Sequence, residues 1–162
     1  MKEGKRIILI AGMGNSPQVL TETVWELAHL KRPLVPDEVV VLAAKNTTAK
    51  LRKALLEGDA PVWRELIASL KKERIPVDGK LVFGSTSIRV IPDENGDEMQ
   101  DLRTGEDNLR AADFMLQQIR QYTESPDTVV LVSIAGGRKT MSALMFSCMT
   151  LLGREDDKVF HV

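Results

Sequence analysis

Apolar positions along the chain follow two alternating rhythms. Short unbroken runs, Arg6-Ile7-Ile8-Leu9-Ile10-Ala11, Asp37 to Ala44 and Thr128 to Ala135, have the pattern of strands buried on both faces. Between them apolar residues recur at helical spacing. Ser16-Pro17 opens one such stretch as N-cap and first helical residue, and Leu20, Val24, Leu27 and Leu30 continue it to Pro33. Further helices are predicted over Thr47 to Leu56, over Ala60 to Arg74 (Val62, Leu66, Ile67 and Leu70 inward, Pro76 beyond), through Ala112, Met115, Leu116 and Ile119, and from about Lys139 to Leu152. The middle is less regular. Lys80 to Phe83 and Ser87 to Ile91 read as short strands, Asp93 to Asp97 as a polar turn, and Glu98 to Leu102 as a returning hairpin partner. Asp157 to Val162 reads as a last strand beginning where the sequence stops, as if cut from something longer. Strands alternating with helices imply an α/β, Rossmann-like three-layer fold: a mainly parallel central sheet with helices on both faces, as one domain over 1–162.

Composition narrows the function classes. With 162 residues and 43% hydrophobic content the chain holds one substantial core. A net charge of -1 offers no global attraction to nucleic acid, so a DNA coat is not expected and any phosphate affinity must be local. The single cysteine, Cys148, lies in an apolar helical run and reads as a small buried hydrophobe in a reducing compartment. The basic start, Met1 to Arg6, precedes too short an apolar run for a signal peptide, and Met141 to Leu152 is broken by Ser142, Ser147 and Thr150. The expectation is a cytoplasmic protein with no membrane segment in this chain.

In parallel α/β sheets ligands bind beyond the carboxyl ends of the strands, where strand order reverses. Two glycine loops sit at such ends. In Gly12-Met13-Gly14-Asn15-Ser16-Pro17 the glycines let the backbone turn, the following helix start attracts an anion, and Asn15, Ser16 and Gln18 add neutral hydrogen-bonding groups. The same residues also satisfy a plain strand-to-helix turn with a serine cap. The order Gly-x-Gly-x-x-Pro and the second strand's ending, Leu42-Ala43-Ala44-Lys45, argue against a nicotinamide or flavin site, and no Walker lysine motif is present. In the second loop, Gly136-Gly137 permits close approach of a ligand, Arg138 and Lys139 supply cations, and Thr140 is a candidate cap. Cations at a helix N-terminus oppose its dipole unless an anion lies between them. Two solvated basic residues after a glycine turn remain the plainer alternative. A third segment, Asp101-Leu102-Arg103-Thr104-Gly105-Glu106-Asp107-Asn108, either caps the next helix or presents Asp107 and Asn108 to adenine edges and ribose hydroxyls. His29 and His161 lack ligand-type neighbours, so no metal and no cofactor are expected. Trp25 and Trp63 fall at packing positions.

Taken in order, residues 12 to 23, 101 to 108 and Ser133-Ile134-Ala135-Gly136-Gly137-Arg138-Lys139-Thr140-Met141-Ser142 resemble the CRISPR-associated Rossmann-fold (CARF) domains of type III CRISPR systems, in particular the ring-nuclease branch. The resemblance implies a homodimer that brings two sets of loops around a cyclic oligoadenylate, most simply cyclic tetra-adenylate. On it, Gly14, Asn15, Ser16 and Gln18 match the first ligand loop, and Gly136, Gly137, Arg138, Lys139 and Thr140 the second; Asp107 and Asn108 match less securely. It further implies slow, metal-independent cleavage by a ribose 2′-hydroxyl, with Lys139 stabilising charge and Ser16 aligning the nucleophile. Members of the wider family also carry an effector domain after the sensor. The chain then reads either as a compact ring nuclease or as a non-cleaving sensor belonging to a longer protein, and a generic nucleotide-binding domain is the third alternative.

Overall fold

The computed structural model describes residues 4–162, so the first residues of the basic segment Met1 to Arg6 lie outside it. Five strands, β1 (Arg6–Gly12), β2 (Glu38–Ala43), β3 (Ile88–Val90), β4 (Thr128–Ser133) and β5 (Lys158–Phe160), form one sheet in the order β3-β2-β1-β4-β5. Every neighbouring pair is parallel, which bears out the Rossmann-like fold. β1 lies in the middle, with Leu9 opposite both Val39 and Leu131, and residues 7 to 11 are buried because layers cover both sides. Odd-numbered β1 residues Ile7, Leu9 and Ala11 pack under α1 (Gln18–Ala28), α2 (Lys45–Leu55) and α3 (Val62–Lys72). Even-numbered Ile8 and Ile10 pack under α4 (Gly105–Thr123) and α5 (Lys139–Leu152). Period-two alternation thus feeds two separate cores from one strand. Cys148 is buried in the second, and burial pushes its thiol pKa up.

The chain leaves β1 toward β2 on one side and enters β4 on the other, so the strand order reverses between β1 and β4. Both glycine loops sit at the carboxyl ends of these two strands.

The middle section departs from the sequence pattern. Lys80 to Phe83 is no strand: it contributes a single bridge, Val82 to Glu38, because Leu81 takes a left-handed φ of 57° that breaks the extended run. Leu81 is nevertheless buried, and its carbonyl accepts the Trp63 indole N–H at 3.1 Å, which places Trp63 in the core as expected. Glu98 to Leu102 makes only one antiparallel bridge, Pro92 to Glu98. Beyond it the backbone docks on α2 instead, the Lys45 and Asn46 N–H groups donating to the Met99 and Gln100 carbonyls at 2.9 and 3.1 Å.

Candidate functional site

The two loops touch through their glycines. A Cβ on Gly14 would lie 3.2 Å from the Gly137 Cα, and one on Gly136 would lie 2.6 Å from the Gly12 carbonyl oxygen and 2.9 Å from the Met13 sulfur. Gly137 has φ +82°, the left-handed region that favours glycine. Side chains at these positions would push the loops apart, so glycine is what lets two strand ends merge into one surface. Ser142 fixes the second loop from below, its hydroxyl lying 2.9 Å from the Ile134 carbonyl and 3.3 Å from that of Gly136.

Asn15, Ser16 and Gln18 from the first loop, and Arg138, Lys139 and Thr140 from the second, are all exposed at this edge. The surface is open rather than enclosed. The caps expected for the two helices are not made: Pro17 precedes α1 in helical conformation with no side-chain cap, and the Ser16 carbonyl accepts from Val19 at 3.2 Å while its hydroxyl is unengaged among the described residues. At α5 the residue in the cap position is Arg138, which also makes no side-chain cap, and Thr140 lies two residues past it, too far into the helix to serve as one. Neither helix has an acid in its first turn, nor does α2, which starts beside them at the end of β2. The starts of α1 and α5 therefore carry no side-chain cap at this edge, whereas the first two N–H groups of α2 are taken by the Met99 and Gln100 carbonyls.

The third segment joins the same edge, through a residue whose role the sequence did not single out. Asp101 accepts both 2.7 and 2.6 Å hydrogen bonds from one Arg138 nitrogen and a 3.2 Å bond from Arg103. Burial pushes the Asp101 carboxyl pKa up, but Arg138, Arg103 and the Leu102 N–H outweigh it, leaving the group below its usual range. Arg138 is thereby anchored, whereas Lys139 has no hydrogen bond or ion pair among the described residues. A second unforeseen residue is Lys50 of α2, whose ammonium donates to the Asn15 carbonyl at 2.5 Å and ties the first loop to the neighbouring helix.

Asp107 and Asn108 are occupied with the start of α4. Asp107 accepts from the Arg103 and Thr104 N–H groups at 2.9 and 2.8 Å, the Thr104 hydroxyl accepts from the Asp107 N–H at 3.0 Å, and these bonds hold the carboxyl pKa low. The Asn108 amide donates to the Thr104 carbonyl at 2.7 Å, leaving its own oxygen buried and without a partner. His29 stands apart from the edge, stacked on Trp25 with ring centroids 4.3 Å apart and bonded to Glu73 at 2.7 Å.

Fold and edge together define a Rossmann-like α/β domain whose strand-end loops converge at the reversal of strand order. Residues 16–162 match the family described as CRISPR-associated protein NE0113 (Cas_NE0113), and the chain belongs to that family. The match takes in the second loop, the Asp101 to Asn108 segment and the first loop from Ser16 onward. Comparison with curated proteins gives no match. Membership makes the chain a CRISPR-associated protein, with a role in CRISPR defence. No helix among the described residues is long and apolar enough to cross a membrane.

Proposed function

We propose that the chain is a CARF domain that binds cyclic oligoadenylate, as cyclic tetra-adenylate, between the carboxyl-edge loops of two copies and cleaves it slowly. The observation that carries this reading is the glycine contact of Gly14 with Gly137, which gathers exposed Asn15, Ser16, Gln18 and Lys139 onto one surface. A ring with two-fold symmetry suits a site made of two identical halves. An open edge in a single chain is what a shared site requires of each half. CRISPR-family membership supplies the biological setting for such a messenger.

In the cleavage step a ribose 2′-oxygen forms a bond to the adjacent phosphorus, the bond from phosphorus to the 5′-oxygen breaks, and the 2′-hydroxyl proton ends on the leaving oxygen. The product is a 2′,3′-cyclic phosphate. Lys139, exposed and without a partner among the described residues, answers the negative charge that develops on the phosphoryl oxygens, and N–H groups without a side-chain cap at the start of α5 act in the same direction. Ser16 offers a hydroxyl with no partner among the described residues to orient the ribose. Arg138, held by Asp101, shapes the loop and leaves the phosphate to its neighbour.

One observation favours the second reading, a sensor that binds without cutting. His29 is engaged by Glu73 and Trp25, and His161 lines a separate groove with Leu30 and Phe160, so neither histidine stands at the edge as a general base. Incubating excess protein with cyclic tetra-adenylate in the presence of chelator, followed by chromatography, separates the two. Linear products ending in a 2′,3′-cyclic phosphate support cleavage; a bound but intact ring supports the sensor; no binding removes both.

A further inference from the structure

Away from the carboxyl edge, α1 and α3 leave a groove of ≈ 330 Å³ between them. Its floor is apolar: Trp25 is partly buried, Leu66 is buried, and Val62 keeps 42% of its surface in contact with water. Its lips are acidic. Glu22 and Glu26, one turn apart on α1, stand on one side and Glu65 of α3 on the other, with Thr21 and Ser69 completing the lining and no lysine or arginine in it. None of the three carboxylates is ion-paired among the described residues. Beyond the same Glu22 and Glu26 ridge lies a second groove of ≈ 500 Å³, reaching Leu27, Leu30 and Phe160. One end of the α1/α3 pair is clamped by the stack of Trp25 on His29 and the bond from His29 to Glu73, so the groove is preformed.

We propose that this groove docks a basic amphipathic helix of a partner protein. An apolar floor between two carboxylate lips fits a helix whose aliphatic stripe enters the groove while lysines or arginines flanking that stripe meet Glu22, Glu26 and Glu65. The chain as a whole carries a charge of only -1, so this local grouping of three acids, unpaired among the described residues, is a feature of the groove and not of general acidity. The surface lies on the outer helices and shares no residue with the glycine loops, so it stands independently of the cyclic oligoadenylate reading.

The test uses the whole protein and an acetylated leucine–lysine peptide of about 14 residues, long enough for marginal helicity, patterned with leucine at helical spacing. Amide NMR shifts confined to Gln18–Ala28 and Val62–Lys72, with binding weakened at least about tenfold in the Glu22→Lys/Glu26→Lys variant and by added salt, are expected. A scrambled peptide of the same composition and a leucine–glutamate peptide bind no more than weakly. Absence of binding, shifts spread over other faces, or equal affinity of the scrambled peptide or of the charge-reversed variant overturns the proposal. Val62→Glu places an acid in the first turn of α3, where the helix dipole tolerates it. If that substitution turns a dimer into monomers by sedimentation, the groove is an interface between copies and the partner-helix proposal falls.

Discussion

Replacing Gly136 by alanine tests the loop contact on which the candidate site depends. The new methyl carbon would lie 2.6 Å from the Gly12 carbonyl oxygen and 2.9 Å from the Met13 sulfur. The sulfur belongs to a flexible side chain and can retreat, but the carbonyl ends a strand paired on both sides, and its displacement disturbs the centre of the sheet. Overpacking of this kind costs about 1–3 kcal/mol, and each kcal/mol lowers Tm by about 2–4 °C in a domain of this size. The control is Gly105→Ala at the start of α4, where nothing lies within 4 Å of the added carbon and helix propensity favours alanine. Urea denaturation of the two variants and the parent measures the difference directly. Gly136→Ala should unfold at clearly lower urea with an unchanged slope, and Gly105→Ala at the parental midpoint or above it. Equal midpoints for Gly136→Ala and the parent would mean that the loops are not in contact as described, and the merged surface would lose its basis.

Asp101→Asn should remove the ion pair and one of the two hydrogen bonds with Arg138 and cost about 1 kcal/mol, because Arg138 is half exposed and water screens the pair. Since the Asp101 carboxyl sits below its usual range in the folded chain, this contribution is present at neutral pH and is lost as pH falls through that lowered value; the variant's urea midpoint should lack this part of the acid dependence. His29 behaves oppositely. Its hydrogen bond to Glu73, then that to the Trp25 carbonyl, raise its pKa, so its contribution is complete below the ordinary histidine value and fades as pH rises through the raised one, a trend that His29→Gln should abolish. Asp157→Ala should be the most damaging of these changes, at about 2–3 kcal/mol, since the buried carboxylate accepts from the Val130 N–H at 2.7 Å and from the Arg154 N–H at 2.9 Å, which would lose their partner, while the Arg154 guanidinium keeps the Ser125 and Thr128 carbonyls. Thermal denaturation reports it as a large drop in Tm.

The sheet and its covering helices were legible because period-two and period-3.6 patterns are set by burial, and burial here follows the two-sided core of β1. The ends of β1 and β4 were legible for the same reason, since their unbroken apolar runs stop at glycine. Other features depend on contacts between distant residues. Leu81 is as apolar as any strand residue, but its left-handed backbone is imposed by the chain entering the sheet edge beside Asp37, whose carboxylate takes the Lys80 ammonium at 2.6 Å. Glu98 to Leu102 follows a polar turn as a hairpin partner would, yet the start of α2 offers its backbone N–H groups nearby and captures it. Lys50 carried no signal beyond an exposed helical position; only the adjacency of β1 and β2 brings it to Asn15. Asp101 lay within a recognised motif, but its pairing with Arg138 spans 37 residues and follows from topology. Asp107 was open to a capping or a ligand role, and the geometry supplies the cap, satisfying two backbone donors that would otherwise be free.

Calorimetric titration of the protein with cyclic tetra-adenylate in the presence of chelator decides whether two chains share one two-fold site for a cyclic oligoadenylate. One ring should bind per two chains, with affinity reduced at least about tenfold by Lys139→Ala, because each copy loses a charge-assisted contact to phosphate. No heat of binding, one ring per chain, or an unchanged affinity in Lys139→Ala would contradict it.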